Sequence, residues 1–258
     1  MRIFLLDRSY DGGRTYDLKA KEVRYLVNVL RLKPGDRITA RDRTNRYYDA
    51  TIMEGGSLIL SPVERPQSSL SDGLSGYRGP MPSIHLYQCI CKGRKNEDIA
   101  RMACEAGVEK LVFISSAYTQ EKELKRHSIE RIEAIMREAV QQSGSESGTE
   151  IGMMTFAQAL DEAPGRILLL HQSVLSRTKS LFEALDGLDA DSTLSLFVGS
   201  EGGFSEEECH LAESRQATAC LMPTNILRAE TAGIFALGAI ENILCSRTEQ
   251  DRADITIL

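Results

Sequence analysis

The chain of 258 residues contains no tryptophan and only four histidines, which are scattered. Its six cysteines, Cys89, Cys91, Cys104, Cys209, Cys220 and Cys245, include no C-x-x-C pair. Without such spacing or companion histidines, a structural zinc site is not expected, and no metal is. Most of the thiols fall in apolar patterns, as reduced core cysteines of a cytoplasmic protein do. No apolar run approaches the roughly 18 residues that a membrane span needs, so no membrane partner is expected. The apolar stretch after Met1-Arg2 is too short for a secretion signal. G-x-G-x-x-G and Walker spacings are missing too, which argues against a nucleotide-dependent α/β enzyme.

Positive charge is in short supply overall, with a net charge of −6. Its distribution matters more than its sum. Residues 1–66 carry 13 Lys and Arg against 9 Asp and Glu, and the rest of the chain carries 18 against 28. A basic first part joined to an acidic second part suits a nucleic-acid-binding domain attached to another function. A solvated basic surface would give the same counts.

What is present divides into two patterns. Residues 3–6 read as a first strand, and Asp11-Gly12-Gly13 as a turn. Residues 20–30 have helical spacing, with Val23, Leu26, Val27 and Leu30 on one side, ended by Pro34-Gly35. Residues 37–41, 47–53 and 57–61 alternate apolar and polar residues as short strands do. Together these predict a small β-barrel with one helix, a domain type that often serves RNA. A Pro-, Ser- and Gly-rich linker follows over about residues 62–83. The predicted division is a β-barrel domain at 1–66, a linker at 67–83 and a larger domain at 84–258.

From residue 84 onward strands and helices alternate. Residues 84–90, 110–115, 166–171, 194–198 and 219–222 read as strands. Residues 97–106, 129–142, 155–161, 180–185, 205–215 and 230–245 read as helices. The alternation predicts a mostly parallel sheet covered by helices. Ligands of such sheets bind beyond the carboxyl ends of the strands. Two loops there stand out. Val198-Gly199-Ser200-Glu201-Gly202-Gly203 follows a buried strand, and its glycines allow positive φ and close approach of a ligand. Ser205 and Glu208 form a capping box for the next helix. Glu206 and Glu207 in the first turn argue against phosphate binding at that helix end. A well-capped turn explains this loop as readily as a ligand cradle does. Twenty residues on, Ile226-Leu227-Arg228-Ala229-Glu230-Thr231 opens a long apolar helix. Here Arg228 and Glu230 read either as site residues or as an ordinary ion pair.

The segments GSEGGFSEEE and ILRAETAG together resemble the ribosomal small-subunit methyltransferase E (RsmE) family of the SPOUT superfamily. Residues 25–36 resemble that family's PUA-like N-terminal domain, and the resemblance covers nearly the whole chain. It implies an α/β domain with a trefoil knot, a homodimer, and S-adenosylmethionine (SAM) as cofactor. The implied substrate is N3 of a uridine in 16S ribosomal RNA of the small subunit. On this resemblance Leu170, His171, Val198, Gly199, Glu201, Gly202, Gly203, Leu221, Met222, Ile226, Leu227 and Thr231 are expected to hold the cofactor. His171 reads equally as the plain end of a strand. Arg228 is expected to balance charge developing on the uracil oxygens, and Glu230 to orient it or accept the N3 proton. Arg2, Arg24, Arg31, Arg43, Lys92 and Lys95 are the expected RNA contacts, Arg31 first.

The chain also departs from the family pattern. Ser200 stands for a usual proline, Asn225 and Ser145 for arginine, Met102 for lysine and Gln141 for glutamate. Ala117-Tyr118 lies where a Glu-Arg pair is usual. The alternative reading is therefore a divergent relative that binds RNA, and perhaps cofactor, with another target or no methylation.

Overall fold

The computed structural model describes residues 3–7, 10–42, 44, 46–64, 81–143, 148–172, 175, 176, 178–189 and 191–256. The chain divides into two compact units, Met1–Asp72 with Val140–Ser147, and Gly73–Ala139 with Gly148–Leu258.

The first unit is built on a five-stranded sheet in the order β1-β3-β4-β5-β2. Its strands are β1 (Ile3–Leu5), β2 (Thr15–Asp17), β3 (Arg37–Arg41), β4 (Tyr47–Met53) and β5 (Ser57–Val63). The alternation of β4 and β5 sends Tyr48, Ala50, Ile52, Leu58 and Leu60 into one core with Phe4, Tyr16 and Leu26. No ladder joins β1 to β2 among the described residues, so the expected barrel is seen as a sheet with two edges. Strand β5 runs two residues further than its sequence pattern suggests. Pro62 is tolerated because it lies past the ladder with β2, where no N–H is required. Most of the expected linker lies outside the described residues.

The predicted helix at 20–30 is only partly α-helical. α1 (Ala20–Arg24) runs directly into a π-helical turn, Tyr25–Val29. The N–H of Leu30 bonds to the carbonyl of Tyr25, five residues back. Widening the turn breaks the 3.6-residue period. Leu26 stays buried, but Val27, expected on the same side, is 47% exposed. The turn closes with Arg31 in the left-handed region, φ 57°, and the N–H of Leu32 bonds back to the carbonyl of Leu26.

The second unit carries a seven-stranded, wholly parallel sheet in the order β10-β12-β9-β11-β6-β7-β8. The strands are β6 (Ser83–Cys89), β7 (Lys110–Ser115), β8 (Glu150–Thr155), β9 (Arg166–Leu170), β10 (Thr178–Ser180), β11 (Thr193–Val198) and β12 (Thr218–Leu221). Helices α2 (Lys95–Glu105), α3 (Arg126–Ser143), α4 (Phe156–Glu162), α5 (Leu181–Ala184), α6 (Glu206–Ser214) and α7 (Ala229–Thr256) alternate with them. Strands β8 and β10 were not expected. Both are edge strands, one half-exposed along its length and one only three residues long, so neither has the apolar run of a buried strand.

Central strand β11 organises the packing. Phe197 stacks on Tyr87 of β6, ring centroids 4.4 Å apart and planes at 4°, and Phe156 and Phe204 close around the stack. Helices α4 and α6 lie on this face. The alternate residues Leu86, Gln88 and Val198 face α7, where a Cβ on Gly233 would come within 3.3 Å of Gln88 and Val198. No helix is long and apolar enough to cross a membrane, among the described residues.

Candidate active site

A cavity of about 400 Å³ opens at the carboxyl edge of the sheet, beyond β9, β11 and β12. That size is in the range of small-molecule sites. The two loops singled out in the sequence meet there. Leu170 and His171 come from the end of β9, and Val198, Gly199, Glu201 and Gly203 from the end of β11. Leu221, Met222, Ile226, Leu227 and Arg228 come from the segment joining β12 to α7. Lys95, Gln172, Ser200, Cys220, Thr224, Asn225, Ala229 and Ala232 complete the wall.

The glycine loop is a tight turn. The N–H of Gly203 bonds to the carbonyl of Ser200 at 2.9 Å, and Gly203 sits at φ 73°. A Cβ on Gly199 would lie 2.9 Å from the Cα of Gly203, so the turn closes only with glycine there. At its far end Ser205 and Glu208 form the expected capping box. The capping reading is borne out, and the other side of the capped loop lines the cavity.

The ionic arrangement differs from the simplest expectation. Lys95, at the start of α2, reaches the cavity and bonds to Glu201 Oε1 at 2.8 Å. Its ammonium also lies 3.2 Å from Glu230 Oε2. That second approach is an ion pair without hydrogen-bond geometry, because Glu230 Oε2 is buried with no hydrogen-bond partner. The hydrogen bond from Lys95 to Glu201 raises the lysine pKa above its usual value. Burial pushes Glu201 up, but the hydrogen bond and charge of Lys95 together with backbone hydrogen bonds outweigh it and hold the carboxyl below the usual range. Arg228 is exposed on the cavity wall and is not paired with Glu230. Its carbonyl accepts from the N–H groups of Thr231 and Ala232, which makes it the residue that opens α7. The site therefore holds an ionic bridge, Glu201–Lys95–Glu230, and a separate guanidinium.

His171 lines the cavity with its N–H bonded to the carbonyl of Cys220 at 3.3 Å, extending the β9–β12 ladder by one residue. Its Nε2 lies 3.8 Å from Cys209 Sγ. Burial lowers the His171 pKa, which favours the neutral ring at pH 7. Burial also pushes Cys220 up to about 12, so this thiol stays protonated beside the cavity.

Some predicted residues fall elsewhere. Gly202 belongs to the loop but faces Tyr118, Thr231 is exposed on the first turn of α7, and Glu230 is half-buried there against Lys95; none of the three lines the cavity. Arg24 and Arg31 are exposed in the first unit, and Lys92 is exposed after β6. Arg2 and Arg43 lie outside the described residues. Lys95, predicted on the RNA surface, is a cavity residue instead. Sequence reasoning separated it from Glu201 and Glu230 because more than a hundred residues intervene; its position just past the carboxyl end of β6 was the available signal.

A wholly parallel sheet with a cavity at its carboxyl edge, walled by two loops and carrying the Lys95–Glu201 ion pair on its wall, defines an α/β protein with a small-molecule site. Residues 78–241 match the model of the RNA methyltransferase domain family, and residues 18–60 match that of the RNA methyltransferase PUA domain. The chain belongs to the RNA methyltransferase family. It is 26% identical over 250 residues to the ribosomal RNA small subunit methyltransferase E of Rickettsia conorii, covering 96% of this chain and 98% of that one. Its identity to the protein of that name from Bacillus subtilis is 25% over 248 residues, 92% and 94% of the two chains. The crystal structure of the Neisseria gonorrhoeae ribosomal RNA small subunit methyltransferase E bound to SAM superposes with a TM-score of 0.74. There the identity is 25%, over 94% of this chain and 98% of that one.

Proposed function

We propose that this chain is a SAM-dependent methyltransferase acting on N3 of a uridine in 16S ribosomal RNA of the small subunit. The observation that carries the reading is the cavity in which both loops, the Lys95–Glu201 ion pair and Arg228 converge, with Glu230 paired to Lys95 behind its wall. The residues present fit the cofactor. Leu170, Val198, Leu221, Met222 and Leu227 offer apolar walls to an adenine, and Glu201 offers negative charge to a cationic ligand. When bound, SAM supplies a methyl group already activated by its sulfonium. The chain's own residues then manage position and charge. N3 of a uracil must lose its proton to attack, and Glu230, which follows the cavity-wall residue Ala229 and is ion-paired with Lys95, is the acceptor assigned to it. Lys95, itself on the cavity wall, holds this carboxylate beside it. Arg228, which has no carboxylate partner among the described residues, balances the negative charge that moves onto the uracil oxygens. The base reaches the cavity only when unstacked.

Residues 1–66, with Arg24 and Arg31, serve as the RNA-delivery domain, joined through the 67–83 linker to the methyltransferase domain at 84–258. The chain carrying the two loops ties the trefoil knot that the family resemblance implies. The enzyme works in the cytoplasm as a homodimer; the exposed Ile226 and Phe235 beside the cavity and on α7 support a partner surface.

The first test is calorimetric titration with SAM, followed by methyl transfer to small subunits from cells lacking the protein. Saturable binding and a new N3-methyluridine are the expected results. Absence of binding at millimolar SAM by folded protein overturns the reading. The divergent alternative, for which Asn225 and Ser200 on the cavity wall speak, predicts binding without that nucleoside. Replacing Arg228 by Ala is expected to slow transfer by about 10²–10³-fold while SAM affinity stays within a few-fold. Equal loss of both would assign Arg228 to cofactor binding instead.

A further inference from the structure

We propose that Tyr118 is a stacking platform for an unpaired nucleotide of the RNA, placed beside the cofactor cavity. The inference rests on the RNA methyltransferase reading and adds to it the residue that positions the substrate. Tyr118 lies in the turn after β7 and is 54% exposed. Its side chain lies against the glycine loop. A Cβ on Gly202 would come 3.1 Å from Tyr118 Cβ and 3.3 Å from its Cγ and Cδ2. Gly202 sits between Glu201 and Gly203, both on the cavity wall. The ring thus packs against a loop of the site and leaves more than half its surface to solvent.

The turn that carries it is braced. Thr119 Oγ1 accepts from the Ser116 N–H at 3.0 Å and donates to its carbonyl at 2.8 Å. Lys122 Nζ donates to the carbonyl of Ser116 at 2.5 Å and to that of Ala117 at 3.3 Å. The N–H of Ala117 bonds to Glu208 Oε1 at 2.7 Å, while Glu208 Oε2 caps α6. A turn braced in this way loses little further entropy when its exposed residue binds. Positive charge lies on the same edge of the sheet. Strands β6 and β7 pair through Cys89 and Ile114, so the chain after β6, with Lys92 and Arg94 exposed, leaves beside the Tyr118 turn. An exposed aromatic ring with cations on the same edge of the sheet is an arrangement that holds unpaired nucleotides, by stacking on the base and attraction to the backbone. A uracil brought to the cavity must leave its stack, and the ring offers such a nucleotide a replacement.

The absence of tryptophan makes the test direct. In full-length protein, Tyr118→Trp introduces the one indole, and its emission is expected to be quenched saturably by a single-stranded oligouridylate. Anisotropy with the same labelled oligonucleotide is expected to show at least about tenfold weaker binding for Tyr118→Ala. Affinity close to wild type is expected for Tyr118→Phe and Tyr118→Trp, and unchanged SAM affinity for all three. The inference is overturned by an indole that stays unquenched while the oligonucleotide binds, by an alanine variant that binds as wild type, or by no saturable binding to the wild type. Equal weakening by Phe and Ala overturns it as well, since the hydroxyl would then matter. Weakened SAM binding by the alanine variant would make Tyr118 a support of the glycine loop and also overturn it. Failure of the wild type to bind SAM counts against the proposed function alone, because the quenching and anisotropy read stacking without cofactor.

Discussion

Arg31 occupies a backbone position that glycine fills at no steric cost. At φ 57° an L side chain crowds the following carbonyl, and helix ends commonly place glycine at such a left-handed residue. An exposed arginine kept there argues for a role of the side chain. Arg31→Gly is expected to leave unfolding stability unchanged or raise it by up to about 1 kcal/mol, while RNA affinity falls. Urea unfolding and filter binding check the two halves, and a loss of stability would remove the argument. The Lys95–Glu201 pair makes a pH prediction. Lys95 is raised, so its contribution is complete below the unfolded lysine value and is lost as pH rises through the higher folded one. Glu201 is lowered, so its contribution is complete above the unfolded glutamate value and is lost as pH falls through the lower folded one. The pair is therefore intact from about pH 5 to about pH 10. The difference in thermal midpoint between wild type and Lys95→Met should be flat across neutral pH and shrink below pH 4. A difference independent of acidification would show that packing, not charge, holds Lys95.

Among the elements, β11 connects core to site. Phe197 is fully buried against Tyr87, Phe156 and the β9 strand, two residues ahead of Gly199. Phe197→Ala is expected to cost about 3–5 kcal/mol of stability and to weaken SAM binding, because the glycine loop is anchored through this strand. Full SAM affinity in a destabilised variant would show that the loop holds its shape independently. Strands of this kind were readable from sequence: β6, β7, β9, β11 and β12 are largely buried, and β7, β9 and β11 carry apolar runs that show it. β8 and β10 were not, because an edge strand needs one neighbour and little apolar content. The π-helical turn at Tyr25–Val29 was hidden for another reason. Its residues have ordinary helical spacing, and only the Leu30–Tyr25 hydrogen bond distinguishes it.

At the scale of the whole molecule, the homodimer proposed above predicts a specific weakness. Phe235 is 50% exposed on α7 and Ile226 is 82% exposed at the cavity mouth, areas that a single chain leaves in water. Phe235→Glu is expected to shift sedimentation from dimer to monomer at micromolar concentration and to lower methyl transfer with it. A wild-type monomer at that concentration would remove the dimer from the proposal.

The sequence by itself determined the class of fold, the positions of the two loops and their capping, because these depend on local apolar runs, glycine conformations and cap hydrogen bonds among near neighbours. The resemblance carried by those loops pointed to the family that the domain matches then established. Only the tertiary structure decided which charges meet. Glu230 pairs with Lys95 rather than with Arg228, and Lys95 moves from the expected RNA surface onto the cavity wall. Tyr118 likewise meets Gly202 only because parallel strands far apart in sequence end at one edge. Charge pairing and close contact depend on distances between distant segments, and no local pattern in a single chain records them.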